Sequence, residues 1–179
     1  MNTQSAKAWS DFVARVESEL SGNGGGDLGL DEGTFGREQD VTRALALGLR
    51  NLFRDFYETG DSALHHHVVY RQGDTVEDRA AWKAAQDDKW INVHGVNFVP
   101  DILIRPVVAP PSPMVLPIEV KLLTKNACSQ DIAAAIGQAI HYSLRYPRSI
   151  AFIGVSMELE PTDLLSPGGH GDSEAKLRD

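Results

Sequence analysis

Apolar residues along this chain recur at two spacings, and the change from one to the other marks the elements. Trp9, Phe12, Val13, Val16 and Leu20 lie on one face of a helix over residues 6–20. Val41, Leu45, Leu49, Leu52, Phe53 and Phe56 predict a second helix, with Glu38 in its first turn. Ile132, Ala135, Ile136, Ala139, Ile140 and Leu144 predict another, lying closely on a sheet. Between them the period shortens. Residues 64–71, rich in His and Val, read as a strand, and 90–99 as one broken by Gly95. Residues 75–89 scatter Val76, Ala80, Ala81, Trp82 and Ala85 among charges, which predicts a short exposed helix with Asp87 and Asp88 solvated. The run 149–155 is continuously apolar, as a buried strand would be.

The sharpest alternation is Ile118, Val120 and Leu122 against Glu119 and Lys121. Successive strand side chains point to opposite faces, so the three apolar residues enter a core while the carboxylate and the ammonium share the other side. Upstream, Pro100 and Asp101 open the run Ile102 to Ile104, a position where a strand tolerates proline. Prolines at 110, 111 and 113 stiffen the connection and predict that the two strands lie adjacent and antiparallel, so that Asp101 meets Glu119. Crossing from the Lys121 strand through a helix to 149–155 makes a βαβ unit. The glycine-rich run 22–26 is followed by no Gly-Lys-Ser/Thr and reads as a linker. The expected organisation is a docking helix with linker at 1–33, a core at 34–157 and a tail at 158–179.

At 179 residues, with 42 % hydrophobic and 23 % charged residues, the chain suits one soluble globular domain with appendages. No apolar run approaches the roughly 18 to 20 residues of a membrane span, and no signal-peptide layout opens the chain; a cytoplasmic protein is expected. Cys128 is alone, which excludes an internal disulfide framework. Of the triple histidine at 65–67, only His65 and His67 would share a strand face, and a zinc site would have to recruit His94, His141 or Cys128 from unconnected places. The net charge of −8 argues against a broad basic grip on nucleic acid, although half of it lies in 156–179, with six acidic and two basic residues.

Two carboxylates beside one ammonium are the makings of a divalent-metal site. Pro100-Asp101 followed by Glu119-Val120-Lys121 resembles the PD-(D/E)xK motif of the restriction-endonuclease-like nuclease superfamily. Gln138 and Tyr142, four apart on the next helix, resemble the Gln-x-x-x-Tyr signature of its RecB-type branch. The resemblance spans residues 36–155. It implies an α/β fold with an αβββαβ core, a mixed central sheet flanked by helices, to which the N-terminal and inserted helices are additions. It implies a metal-dependent phosphodiesterase or deoxyribonuclease: Asp101, Glu119 and the Val120 carbonyl hold Mg²⁺ or Mn²⁺, which favour oxygen ligands. Lys121 orients the attacking water, lowers its pKa or stabilises phosphate charge, and Glu38 serves a second metal or a metal-bound water. Gln138 and Tyr142 position phosphate, and Arg37, Lys125 and Arg145 contact the backbone of DNA, the implied partner. A homodimer or larger complex is compatible with all of this. Two other readings compete. One is a catalytically inactive member of the fold that binds protein; the other is an unrelated α/β module whose charged strand face is merely solvated, which requires Asp101 and Glu119 on opposite faces or far apart.

Overall fold

The computed structural model describes residues 3–21, 28, 30, 35–106, 114–124 and 129–156. The glycine-rich run, Thr34, the proline-rich connection, Lys125, Cys128 and the tail from 157 on lie outside the described residues.

Helix α1 (Thr3–Ser21) and helix α2 (Glu38–Tyr57) come first, then a 3₁₀ turn (Asp61–Ala63), a single helical turn α3 (Leu64–His67) and strand β1 (Val68–Tyr70). Helices α4 (Val76–Ala84) and α5 (Gln86–Lys89) lead to a hairpin of β2 (Ile91–Val93) and β3 (Val96–Phe98). Strand β4 (Ile102–Ile104), strand β5 (Leu116–Leu123), helix α6 (Ser129–Ser143) and strand β6 (Ile150–Val155) complete the described chain. The fold is α/β, with a mixed four-stranded sheet in the order β1-β4-β5-β6: the first two pairings are antiparallel and β5 runs parallel to β6. No described helix is long and apolar enough to cross a membrane.

Both faces of this sheet are covered. Ile102, Ile104, Leu116, Ile118 and Val120 meet Leu45, Leu49 and Phe53 of α2 and Phe12, Val13 and Val16 of α1. Val69 and Leu103 meet Tyr142 and Tyr146 on the other side. Such two-sided burial explains why β1 and β4 carry no charged residue. Pro117 sits inside β5 without breaking it, because pairing with β6 begins only at Ile118 and no donor is missing on that side. The main chain at Leu28 comes so close to α2 that a Cβ on Gly48 would stand 2.3 Å from the Leu28 carbonyl oxygen, which reserves that position for glycine.

Five expectations are corrected. The strand foreseen over 64–71 is only Val68–Tyr70, because residues 64–67 wind into a helical turn that lays His67 against Phe53 of α2 at 4.5 Å. The break at Gly95 is a hairpin turn, with His94 and Gly95 both at positive φ. The inserted helix is two helices, and Asp88 is buried: it pairs with Arg105 at 2.5 Å instead of meeting solvent. On α6 it is Ala135, Ala139 and Tyr142 that bury against the sheet, whereas Ile136, Ile140 and Leu144 are exposed. The strand at 149–155 is an edge strand, half-buried along most of its length.

Candidate metal and phosphodiester site

The β1-β4-β5 registers align Arg71, Asp101 and Glu119 in one row across three strands, since Tyr70 faces Ile102 and Ile102 faces Ile118. The row continues one residue beyond the formal ends of β1 and β4: the Arg71 N–H donates to the Asp101 carbonyl at 2.8 Å, and the Asp101 N–H to the Ile118 carbonyl at 3.1 Å. Directly opposed residues of an antiparallel pair project to the same face. Asp101 and Glu119 therefore stand side by side.

Each carboxylate is held by a separate group. The Val120 N–H donates to Asp101 Oδ2 at 2.9 Å. N–H and C=O of one strand residue leave on the same edge, so the Val120 carbonyl faces the Asp101 side too. The Tyr142 hydroxyl, arriving from α6, donates to Glu119 Oε2 at 2.7 Å. Lys121 Nζ lies 3.6 Å from Glu119 Oε1 and donates to Glu38 Oε1 at 3.1 Å. Glu38 is the first residue of α2, where the exposed N–H groups of the helix favour a negative side chain.

The electrostatics follow from the burial. Glu119 is 3 % exposed, and its carboxyl is pushed up to about 7, first by burial and then by the charge on Asp101, against the opposing pull of Tyr142 and Lys121. Burial also raises Asp101, opposed by the Val120 N–H and by Lys121. For Lys121, burial alone would lower the ammonium, but the hydrogen bond it donates to Glu38 and the three carboxylate charges outweigh it and hold the pKa above its usual range. Tyr142 is raised as well, by burial and by its acidic neighbour, so it stays a donor at neutral pH. One ammonium thus faces three carboxylates.

A cleft of about 290 Å³ opens beside this cluster, lined by Glu38, Arg43, Tyr70, Arg71, Gln72 and Asp101 among others. Gln72 takes a left-handed conformation at φ 65°, uncommon for a residue other than glycine. Arg43 pairs with Asp74 at 2.5 Å. Among the described residues, Arg71 lines this cleft with no ion pair and no side-chain hydrogen bond, close enough to Asp101 for its charge to pull that carboxyl down. Arg71 and Arg43 escaped the sequence reading; the signal that would have found Arg71 is its register opposite Asp101.

The other sequence-predicted residues divide. Glu38, Asp101, Glu119, Lys121 and Tyr142 are brought together. Gln138 is half-buried on α6, one turn before Tyr142, and Arg37 is exposed next to Glu38. Arg145 is turned to the hairpin side, where its guanidinium donates to the Trp90 and Asp87 carbonyls. The described histidines do not assemble into a metal site. Among the described residues no three His, Cys, Asp or Glu side chains close on one coordination sphere, Glu38 being drawn instead to Lys121.

The donor set nonetheless fits a hard divalent cation. Asp101 and Glu119 are oxygen donors whose pKa values are raised first by burial, which Lys121 only partly offsets, and the Val120 carbonyl faces the same side. A merely solvated strand face is contradicted by the burial of Glu119 and by its position beside Asp101. No family model, no curated protein and no solved structure matches the chain.

Proposed function

We propose that this chain is a divalent-metal-dependent nuclease that hydrolyses phosphodiester bonds, with DNA as its substrate class. The observation that carries the reading is the meeting of Asp101, Glu119, Lys121 and Glu38, from two strands and a helix start, with one carboxylate buried and undercompensated. The αβββαβ order and the mixed sheet agree with the restriction-endonuclease-like core that the motif implies. DNA rests on that resemblance alone.

Asp101 and Glu119, with the Val120 carbonyl, would hold Mg²⁺ or Mn²⁺. When bound, such an ion acidifies water and offsets the negative charge that gathers on the phosphoryl oxygens. Lys121 is an ammonium at neutral pH and cannot accept a proton from water; its role is to orient the water and to stabilise negative charge on the phosphate. Glu38 fixes the Lys121 side chain and, with 41 % of its own side chain exposed, can also accept a hydrogen bond from water. Tyr142 aims Glu119 by donating to one of its oxygens, leaving the other toward Lys121. Arg71 can grip a phosphate next to the one being cut.

The test is cleavage of double-stranded, single-stranded and flapped DNA with Mg²⁺ or Mn²⁺. Lys121→Ala should lower the rate by about 10²-fold or more in a protein whose circular-dichroism spectrum stays native-like, because the side chain belongs to no apolar cluster. Equal rates in wild type and variant would defeat the assignment. No cleavage of any substrate by the wild type would favour the inactive, protein-binding member of the fold.

A further inference from the structure

We infer that the substrate of this site is single-stranded DNA, with one unpaired nucleoside lodged in the cleft beside Asp101 and the phosphate beyond it on Arg71. This rests on the nuclease reading and adds the form of its substrate. Glu119 is 3 % exposed, and Tyr142, which holds it, is fully buried. A phosphate that reaches an ion between Glu119 and Asp101 has to descend below the surface. The space open to the nucleoside that follows it is the cleft of about 290 Å³. Small-ligand sites begin near roughly 300 Å³, so this cleft has room for one nucleoside and none for a base-paired partner. A duplex would have to unpair and unstack that nucleotide, a cost that a single strand does not meet.

Charge favours the same form. The described lining carries the carboxylates Glu38, Asp40, Asp74 and Asp101 against the guanidiniums of Arg43 and Arg71. Arg43 is already paired with Asp74. A duplex laid across such a rim would bring the phosphates of both strands, about one charge per 1.7 Å of its axis, against acidic side chains. A single strand can place its phosphates one at a time, the first at the ion and the second at Arg71, the cation of the described lining that has no ion pair.

The sheet sets the interval between those two phosphates. Arg71, Asp101 and Glu119 occupy one row across β1, β4 and β5. Opposed residues of an antiparallel pair have Cα atoms about 5 Å apart, so the Arg71 backbone stands about 10 Å from that of Glu119. From there its long side chain can meet the phosphate next to one held over Asp101. The Arg71 charge already reaches this far, since it works against the rise of both the Asp101 carboxyl and the Tyr142 hydroxyl. Gln39 and Gln72 are exposed on the walls of the cleft. An amide both donates and accepts, so these side chains suit the edge of whichever base enters. The bound strand thus crosses the sheet along this row, from β5 toward β1.

Matched oligonucleotides test this, one single-stranded and one a blunt duplex of the same sequence. With Mn²⁺ the wild type should cut the single strand about tenfold or more faster than the duplex. An uncharged methylphosphonate placed one phosphate from the mapped cut should slow the wild type about tenfold and slow Arg71→Ala no further. Fluorescence anisotropy with Lys121→Ala and Mn²⁺ reads binding apart from cleavage. It should show the same preference for the single strand, and adding Arg71→Ala should weaken that binding about tenfold with a native-like circular-dichroism spectrum. A duplex cut and bound as well as the single strand overturns the inference and leaves the nuclease reading standing. Single-strand binding that is absent, or indifferent to Arg71, overturns it as well. If nothing is cut while anisotropy shows the preference and its dependence on Arg71, the single-strand site stands and the nuclease reading falls.

Discussion

Glu119 and Asp78 are buried to the same depth, 3 % and 4 % exposed, and their acidities move in opposite directions. Burial is the largest influence on both and raises both. At Asp78 it is overcome. Arg50 donates to one oxygen at 2.5 Å, the Thr75 N–H and the Tyr70 hydroxyl donate to the other at 3.2 and 3.3 Å, and the carboxyl falls below its ordinary value. Glu119 has the Tyr142 hydroxyl, an ammonium at 3.6 Å and a second carboxylate as neighbour, and it rises to about 7. The lesson is that depth alone does not set a carboxylate's acidity; the charge balance of its partners does. Asp78 completes a helix cap and ties α4 to α2, whereas Glu119 is left wanting positive charge.

The comparison breaks most visibly at Asp78. Asp78→Ala leaves the Arg50 guanidinium, 13 % exposed, without its counter-ion, and should lower the unfolding free energy by about 3–5 kcal/mol. Urea denaturation measures it; a loss below about 1 kcal/mol would show the pair to be dispensable.

At Glu119 the same kind of change should act in the other direction. The unfolded carboxyl titrates near 4.5 and the folded one near 7, so between those values the native state holds a proton that the unfolded state has lost. Stability of the metal-free protein attributable to this group therefore falls as pH rises from 4.5 to 7. Glu119→Gln, which still accepts from Tyr142, should stabilise the metal-free protein by about 3 kcal/mol at pH 8 and not at all at pH 4, in paired denaturation curves. A variant no more stable at pH 8 than at pH 4, relative to wild type, would erase the contrast between the two carboxylates.

The smallest effect is expected at Arg71, which extends the Glu119 row into the cleft. Arg71→Ala should weaken DNA binding and lower the slope of log affinity against log salt by about 1, with little change in stability. Binding with an unchanged salt slope would remove Arg71 from the substrate path.

How much of this could be read beforehand depends on how local each cause is. The alternation around Glu119 and the proline before Asp101 are written in neighbouring residues, so their strands, their shared face and the two helices bearing Glu38 and Tyr142 were legible. Asp88 was misread as solvated because Arg105, its partner, is 17 residues away across the sheet. Arg145 was expected at a phosphate and is instead claimed by two carbonyls beside the hairpin, 55 and 58 residues back in the chain. The spacing on α6 announces apolar residues at helical period but not which of two apolar faces meets the sheet; small Ala135 and Ala139 allow the closer approach, and Ile136 and Ile140 are left outside. Residues 64–67 follow the same rule, since His67 is drawn toward Phe53 and the Arg105 carbonyl by contacts no local pattern encodes.

The claim that Glu119 and Asp101 hold a divalent cation is tested most directly by calorimetric titration of Mn²⁺ into the chain at pH 7, repeated in buffers of different ionisation enthalpy. One ion should bind per chain and release about half a proton, the share that Glu119 holds at that pH, and both signals should vanish in Asp101→Ala. Binding that survives Asp101→Ala, or no binding to the wild type at millimolar Mn²⁺, would contradict the account.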